Sequence, residues 1–229
     1  MADQSEHNVQ FATNGHTAYG YLEKPESGGG PGVIVIQEWW GLTTHIADLT
    51  RRLAAEGFVA LAPDLYGNRV THDREEAMKM RQQLDEAEAS KILSGAVDYL
   101  IGVDGVTSRT VGAIGFCMGG GFVLSLAAEA GDKVSAAVPF YGMSADVDLT
   151  RITADVQGHY GSQDRGITVE TAEQAFEALG ARSKGTAELN IYDAGHAFLN
   201  DENLIGTYDP DNAKLAWERA VDFLRTHIR

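Results

Sequence analysis

The chain has 229 residues, 44% of them hydrophobic, and its 33 acidic and 18 basic residues leave a formal net charge of −15. That size suits a single α/β domain with a core large enough to need no structural metal, and one cysteine cannot form an intramolecular disulfide. The negative charge disfavours nucleic acid and anionic membrane as partners, because both are bound through positive surfaces.

The opening MADQSEHNVQ is polar and lacks the basic flank and apolar stretch of a signal peptide, and no apolar run approaches the roughly 18 residues of a membrane span. A cytoplasmic protein is expected. NVQFATNGHTAYGYL alternates around Asn14-Gly15, the pattern of a β-hairpin. KPESGGGPG is a loop, and GVIVIQ is a β-branched apolar run suited to a strand buried on both faces. THIADLTRRLAAEG has helical apolar spacing, with Gly57 suited to the position just past a helix end. FVALAPDLY is the next strand, and DREEAMKMRQQLDEAEASKILSGAVDYLIGV is helical, in one piece or two. TVGAIGF then gives a strand and GGFVLSLAAEAG a helix. VSAAVPFYG, DVQGHYG and AELNIYDAG are later strands, and VETAEQAFEALGA is a helix. The last helix, PDNAKLAWERAVDFLRTHI, is opened by Asp209 and Pro210 as cap and first residue. This alternation predicts one α/β domain over residues 1–229, a mostly parallel sheet with helices on both faces and an N-terminal hairpin.

The only cysteine lies in GAIGFCMGGGF. Gly115-Phe116-Cys117-Met118-Gly119 is G-x-C-x-G between a predicted strand and a predicted helix, the setting of a nucleophile elbow with sulfur in place of the serine oxygen. Small residues flank such a turn because larger ones would collide. The helix start favours thiolate, and the Met118 N–H would face a developing oxyanion. By itself the motif leaves Cys117 equally a small buried hydrophobe. A dinucleotide loop and a phosphate loop are both excluded, since no G-x-G-x-x-G and no following lysine fit.

Elbow enzymes carry nucleophile, acid and histidine in that chain order. Downstream, GSQD places Asp164 after a predicted strand, and YDAGHAF places His196 after another. Alone, Asp164 could make an Asx-turn and His196 could be a surface histidine. Together, at the carboxyl ends of strands and in this order, they predict a Cys117–His196–Asp164 triad. The remaining histidines show no metal-ligand spacing, so no metal is expected. In QEWWG, Glu38 ends the first long apolar strand. It is either a solvated carboxylate or one held near the thiol, and Trp39 and Trp40 are either core residues or a pocket wall.

VIVIQEWWG, APDLYG, GFCMGGG, Tyr141-Gly142, GSQD, YDAGHAF and YDPDNAKLAWERAVDFLR together resemble the dienelactone hydrolase (carboxymethylenebutenolidase) family, in order, from about Val33 to the end. The resemblance implies an α/β-hydrolase fold, a monomer without cofactor, and hydrolysis of an enol-lactone to maleylacetate by the triad. It puts the oxyanion hole at the backbone N–H groups of Met118 and Trp39, and the pocket at Trp40, Tyr141 and Phe198. It implies that Glu38 accepts a hydrogen bond from a neutral resting thiol until substrate displaces it. A nearby carboxylate disfavours a second negative charge, which keeps the sulfur protonated and protects it from oxidation. Lactone-cleaving members grip a substrate carboxylate with two arginines. Arg74 matches one, while Asn200 stands at the other, and Met78 and Arg81 replace aromatic residues nearby. Read by itself, Arg74 is equally an exposed arginine paired with Glu75 or Glu76. The expectation is thus a cysteine hydrolase of small lactones or esters. The alternatives are a carboxylesterase for neutral acyl groups, or a non-catalytic binding protein on the same fold.

Overall fold

The structure is a computed structural model that describes residues 5–13, 15–182 and 184–229. The hairpin strands are β1 (Val9–Ala12) and β2 (Thr17–Glu23), and the expected turn residue Asn14 lies outside the described residues. Then follow β3 (Gly30–Ile36), α1 (Thr44–Ala55), β4 (Val59–Pro63), α2 (Arg74–Gln83), α3 (Glu86–Ile101), β5 (Val106–Phe116) and α4 (Met118–Ala130). The chain continues through β6 (Val134–Phe140), β7 (Asp155–Gly161), α5 (Val169–Gly180), β8 (Ala187–Tyr192) and α6 (Pro210–His227). The strands form one sheet in the order β1-β2-β4-β3-β5-β6-β7-β8, antiparallel at β1/β2 and β2/β4 and parallel elsewhere. This is the α/β-hydrolase fold. Among the described residues no helix is long and apolar enough to cross a membrane.

The apolar run in β3 has a direct cause. Successive side chains of a strand point to opposite faces. Ile34 and Ile36 enter a core built with α3, α4 and α5, while Val33 and Val35 enter a second core built with α1 and α6. Both faces are covered, so all four side chains are fully buried, and each stabilises the fold by about 1.5–3 kcal/mol. The helices start where their caps dictate. Asp85 accepts the N–H groups of Ala87 and Glu88, which opens α3 and splits the long helical stretch in two. Asp209 accepts from Asn212 N–H ahead of Pro210, as expected, and Gly57 takes a φ of 98° just past α1.

Parallel strands all deliver their carboxyl ends to one edge. At that edge β3 leads into Glu38, β5 into Cys117, β6 into Tyr141, β7 into Asp164 and β8 into His196. Residues spread over most of the chain therefore meet at one place, at the carboxyl ends of the strands.

Candidate active site

Cys117 joins β5 to α4 with φ 54° and ψ −117°, a region that non-glycine residues occupy at a cost of about 1–3 kcal/mol. The conformation persists because the crossing is held from both sides. Cys117 N–H donates to the Phe140 carbonyl at 3.1 Å, and its carbonyl accepts from Gly120 N–H at 3.0 Å. The flanking glycines are required by space. A Cβ on Gly119 would lie 2.3 Å from the Ile36 carbonyl oxygen, and one on Gly115 would lie 2.3 Å from that of Gly119. The start of α4 can thus press against the ends of β3 and β5, leaving the sulfur at the sheet edge.

His196 Nε2 stands 3.2 Å from Cys117 Sγ, and His196 Nδ1 stands 2.6 Å from Asp164 Oδ2. Asp164 does two things at once. Its Oδ1 accepts N–H bonds from Gly166 at 2.7 Å and Ile167 at 3.1 Å, the Asx-turn considered as an alternative, while Oδ2 is left for the imidazole. The Thr207 hydroxyl donates to the His196 carbonyl and fastens the loop behind the ring. Burial opposes charge on His196, but the bonds to Asp164 and Cys117 and their negative charges outweigh it and push the imidazole up to about 10. Burial likewise works against an ionised Asp164, and His196 with the two backbone donors still holds it below the usual carboxylate range.

Glu38 is buried at the end of β3, but its partners differ from those expected. Its Oε1 accepts from the Tyr141 hydroxyl at 3.3 Å and its Oε2 from Asn200 Nδ2 at 2.7 Å, while the sulfur is paired with His196. Burial raises Glu38 above the ordinary range; the His45 charge, the Asn200 bond, the His196 charge and the Tyr141 bond pull the other way and do not cancel it. Two expected pocket residues are placed elsewhere. Asn200 is buried, its amide is turned inward onto Glu38, and it lines neither of the two cavities at the sulfur. Phe198 is fully buried against Phe140, Tyr141 and Tyr192, a core residue beneath the site.

Two cavities open onto the sulfur. One, of about 440 Å³, lies towards α4 and the β6 loop and is lined by Met118, Phe122, Tyr141, Met143 and Arg81. The other, of about 620 Å³, lies towards the histidine loop and is lined by Glu38, Trp40, Arg74, Arg165 and Ile205. Cys117, His196 and Trp39 border both, so Trp39 is the partition, packed edge-on against Trp40 at 5.0 Å. Met118 is the first residue of α4, whose N–H has no intrahelical acceptor, and among the described residues the Trp39 N–H takes no part in the hydrogen bonds of its turn. Arg74 stays at the cavity mouth; among the described residues it pairs with neither Glu75 nor Glu76. Arg165, which lines the same cavity, was not foreseen, nor was the pair of buried His45 and half-exposed Asp201, at 2.8 Å. The available signals were slight: a cation directly after the acid, and a histidine in the first turn of an otherwise apolar helix face.

Residues 18–228 match the model of the dienelactone hydrolase family. A protein of Aquifex aeolicus with the provisional name carboxymethylenebutenolidase is 32% identical over 232 residues, covering 96% of this chain and 98% of that one. A Bradyrhizobium protein named, also provisionally, 2-oxo-3-(5-oxofuran-2-ylidene)propanoate lactonase is 32% identical over 237 residues, covering 96% and 94%. The crystal structure of a provisionally named dienelactone hydrolase from Klebsiella pneumoniae superposes with a TM-score of 0.83 at 29% identity, covering 99% of both chains.

Proposed function

This chain belongs to the dienelactone hydrolase family, hydrolases of carboxylic ester bonds, and from that premise we propose that it cleaves small lactones or esters through a thioester on Cys117. The observation that carries this reading is the line of contacts Asp164–His196–Cys117, at 2.6 and 3.2 Å, ending on a sulfur held at a strained turn between two cavities.

The chemistry follows from the geometry. A protonated imidazole held between Asp164 and the sulfur stabilises a thiolate beside it. The sulfur attacks the carbonyl carbon, and the oxygen that becomes negative is held by the N–H groups of Met118 and Trp39. His196 gives its proton to the departing oxygen, and the C–O bond breaks to leave a thioester. Water then loses a proton to His196 and attacks the same carbon. The acid leaves, and the sulfur is again paired with the imidazolium. Asp164 holds the ring in the tautomer that points Nε2 at the sulfur and stabilises its charge. The pocket proposed for substrate comprises Trp40, Tyr141 and Arg74 with the two cavities, and the working unit is proposed to be a cytoplasmic monomer that needs no cofactor.

The test is Cys117→Ala with a panel of enol-lactones and p-nitrophenyl esters. The variant is expected to keep its fold by circular dichroism and lose hydrolysis, and Cys117→Ser to retain little. Near-normal turnover by folded Cys117→Ala would overturn the nucleophile assignment.

A further inference from the structure

A carboxylate as buried as that of Glu38 needs a positive charge nearby if it is to stay ionised. Its two hydrogen-bond donors, Tyr141 and Asn200, are both neutral. Two imidazoles lie within range of its charge, those of His196 and His45. His196 is committed to Asp164 and the sulfur. His45 is not: its side chain is 1% exposed, its Nδ1 meets Asp201 Oδ1 at 2.8 Å, and its buried Nε2 has no partner. A buried anion without a direct cation is thus linked, through two adjacent residues, to a buried imidazole whose second nitrogen has no partner. Consecutive residues fasten the two, since Asn200 bonds Glu38 and Asp201 bonds His45.

We propose that His45 is a positioning residue that acts through Glu38: clamped by Asp201, it supplies the positive charge that keeps Glu38 ionised beside the active-site imidazole and thiol. The site then holds two carboxylate–imidazole pairs in parallel, Asp164–His196 facing the sulfur and Asp201–His45 facing Glu38. The groups that face His45 are Asp201, Glu38 and Glu202, with Glu38 acting on it more strongly through space than Glu202. Burial disfavours the His45 cation, but the Asp201 bond and these negative charges together raise its affinity for a proton. Glu38 is also faced by His196, Tyr141 and Asn200, and Asp201 by Arg52. The inference rests on the sulfur being the reactive centre, but not on which substrate is cleaved.

The experiment reads the thiol and the carboxyl directly, without turnover. Iodoacetamide labelling of Cys117 is measured from pH 5 to 9 in wild type, His45→Gln, Asp201→Asn, Glu38→Gln and the double variant His45→Gln/Glu38→Gln. Glu38→Gln removes the negative charge near the sulfur, so labelling on the acid side of its pH profile is expected to rise, by up to about tenfold, the effect of one pKa unit. His45→Gln should give a similar rise, because Glu38 without its cation takes up a proton. The double variant should label no faster than Glu38→Gln alone. Infrared spectra at neutral pH should show a protonated-carboxyl band in His45→Gln that the double variant lacks. Asp201→Asn, at a half-exposed position, gives the same change to a smaller degree and serves if His45→Gln fails to fold. Unchanged or slower labelling in a folded His45→Gln overturns the inference, and so does an effect of His45→Gln that persists without Glu38. Failure of the nucleophile assignment would show separately, as hydrolysis surviving in Cys117→Ala.

Discussion

Asp164 is the residue on which the site's electrostatics turn. In a serine protease triad the corresponding change to asparagine lowers kcat about 10⁴-fold. A thiol needs less help from its base, so Asp164→Asn here is expected to lower kcat/KM by about 10²- to 10³-fold with the fold retained. The same pair should leave a mark on stability. His196 gains proton affinity on folding, so its contribution is full below its ordinary 6.5 and is lost as pH rises to about 10. Asp164 loses proton affinity, so its contribution is present above its ordinary 3.8 and is lost as pH falls through its lower folded value. The Tm gap between wild type and Asp164→Asn should therefore be widest between about pH 4 and 6.5 and narrow steadily towards pH 10. A gap that widens in alkali would mean that the imidazole is not held protonated. Cys117, His196 and Asp164 were legible in the sequence because each follows a strand in a set order. The direction of Asn200 was not legible, because a motif position says where a backbone is, not which way its amide turns, and here it turns onto Glu38.

At the level of elements, the elbow depends on how closely α4 approaches β3 and β5. Gly119→Ala would set a methyl carbon 2.3 Å from the Ile36 carbonyl oxygen, and neither backbone can yield without moving the sulfur. A loss of about 1–3 kcal/mol in urea unfolding is expected, with a larger fractional loss of activity than of stability. An alanine variant of wild-type stability would show that the crossing is looser than its glycines suggest. Most elements could be read from the sequence because a strand buried on both faces is a solid apolar run, and a capped helix announces its start. The exception is the first half of β5. Val106 to Arg109 alternates between half-buried and exposed at the far end of the strand, so no apolar run marks it.

On the scale of the whole molecule, charge sets which substrates approach. A net charge of −15 repels anions at long range, and salt screens that repulsion within about 8–10 Å. Against it stand Arg74 and Arg165 at the mouth of the larger cavity, neither paired with a carboxylate among the described residues. Charge-assisted hydrogen bonds contribute about 1.5–3 kcal/mol each, so Arg74→Met or Arg165→Met should lower kcat/KM for an acidic ester about 10- to 150-fold. The neutral methyl ester should be unaffected, and raising salt in wild type should first help the acidic one. Equal losses on both esters would place the anion elsewhere. The sequence showed Arg74 but not Arg165, since the start of α2 and the loop after β7 reach one cavity only in the fold. The partition formed by Trp39 has a last consequence, in the traffic of products. On the proposed thioester route, with the two halves of the substrate in the two chambers, an open-chain ester loses its alcohol and empties one chamber while the acyl group still occupies the other, so water has a way in. A lactone offers no such exit. Its two halves remain one molecule after the ring opens, both chambers stay filled, and the freed oxygen waits beside the thioester it has just left. Ring closure then competes with water, so added alcohols should intercept the intermediate readily from esters and poorly from lactones.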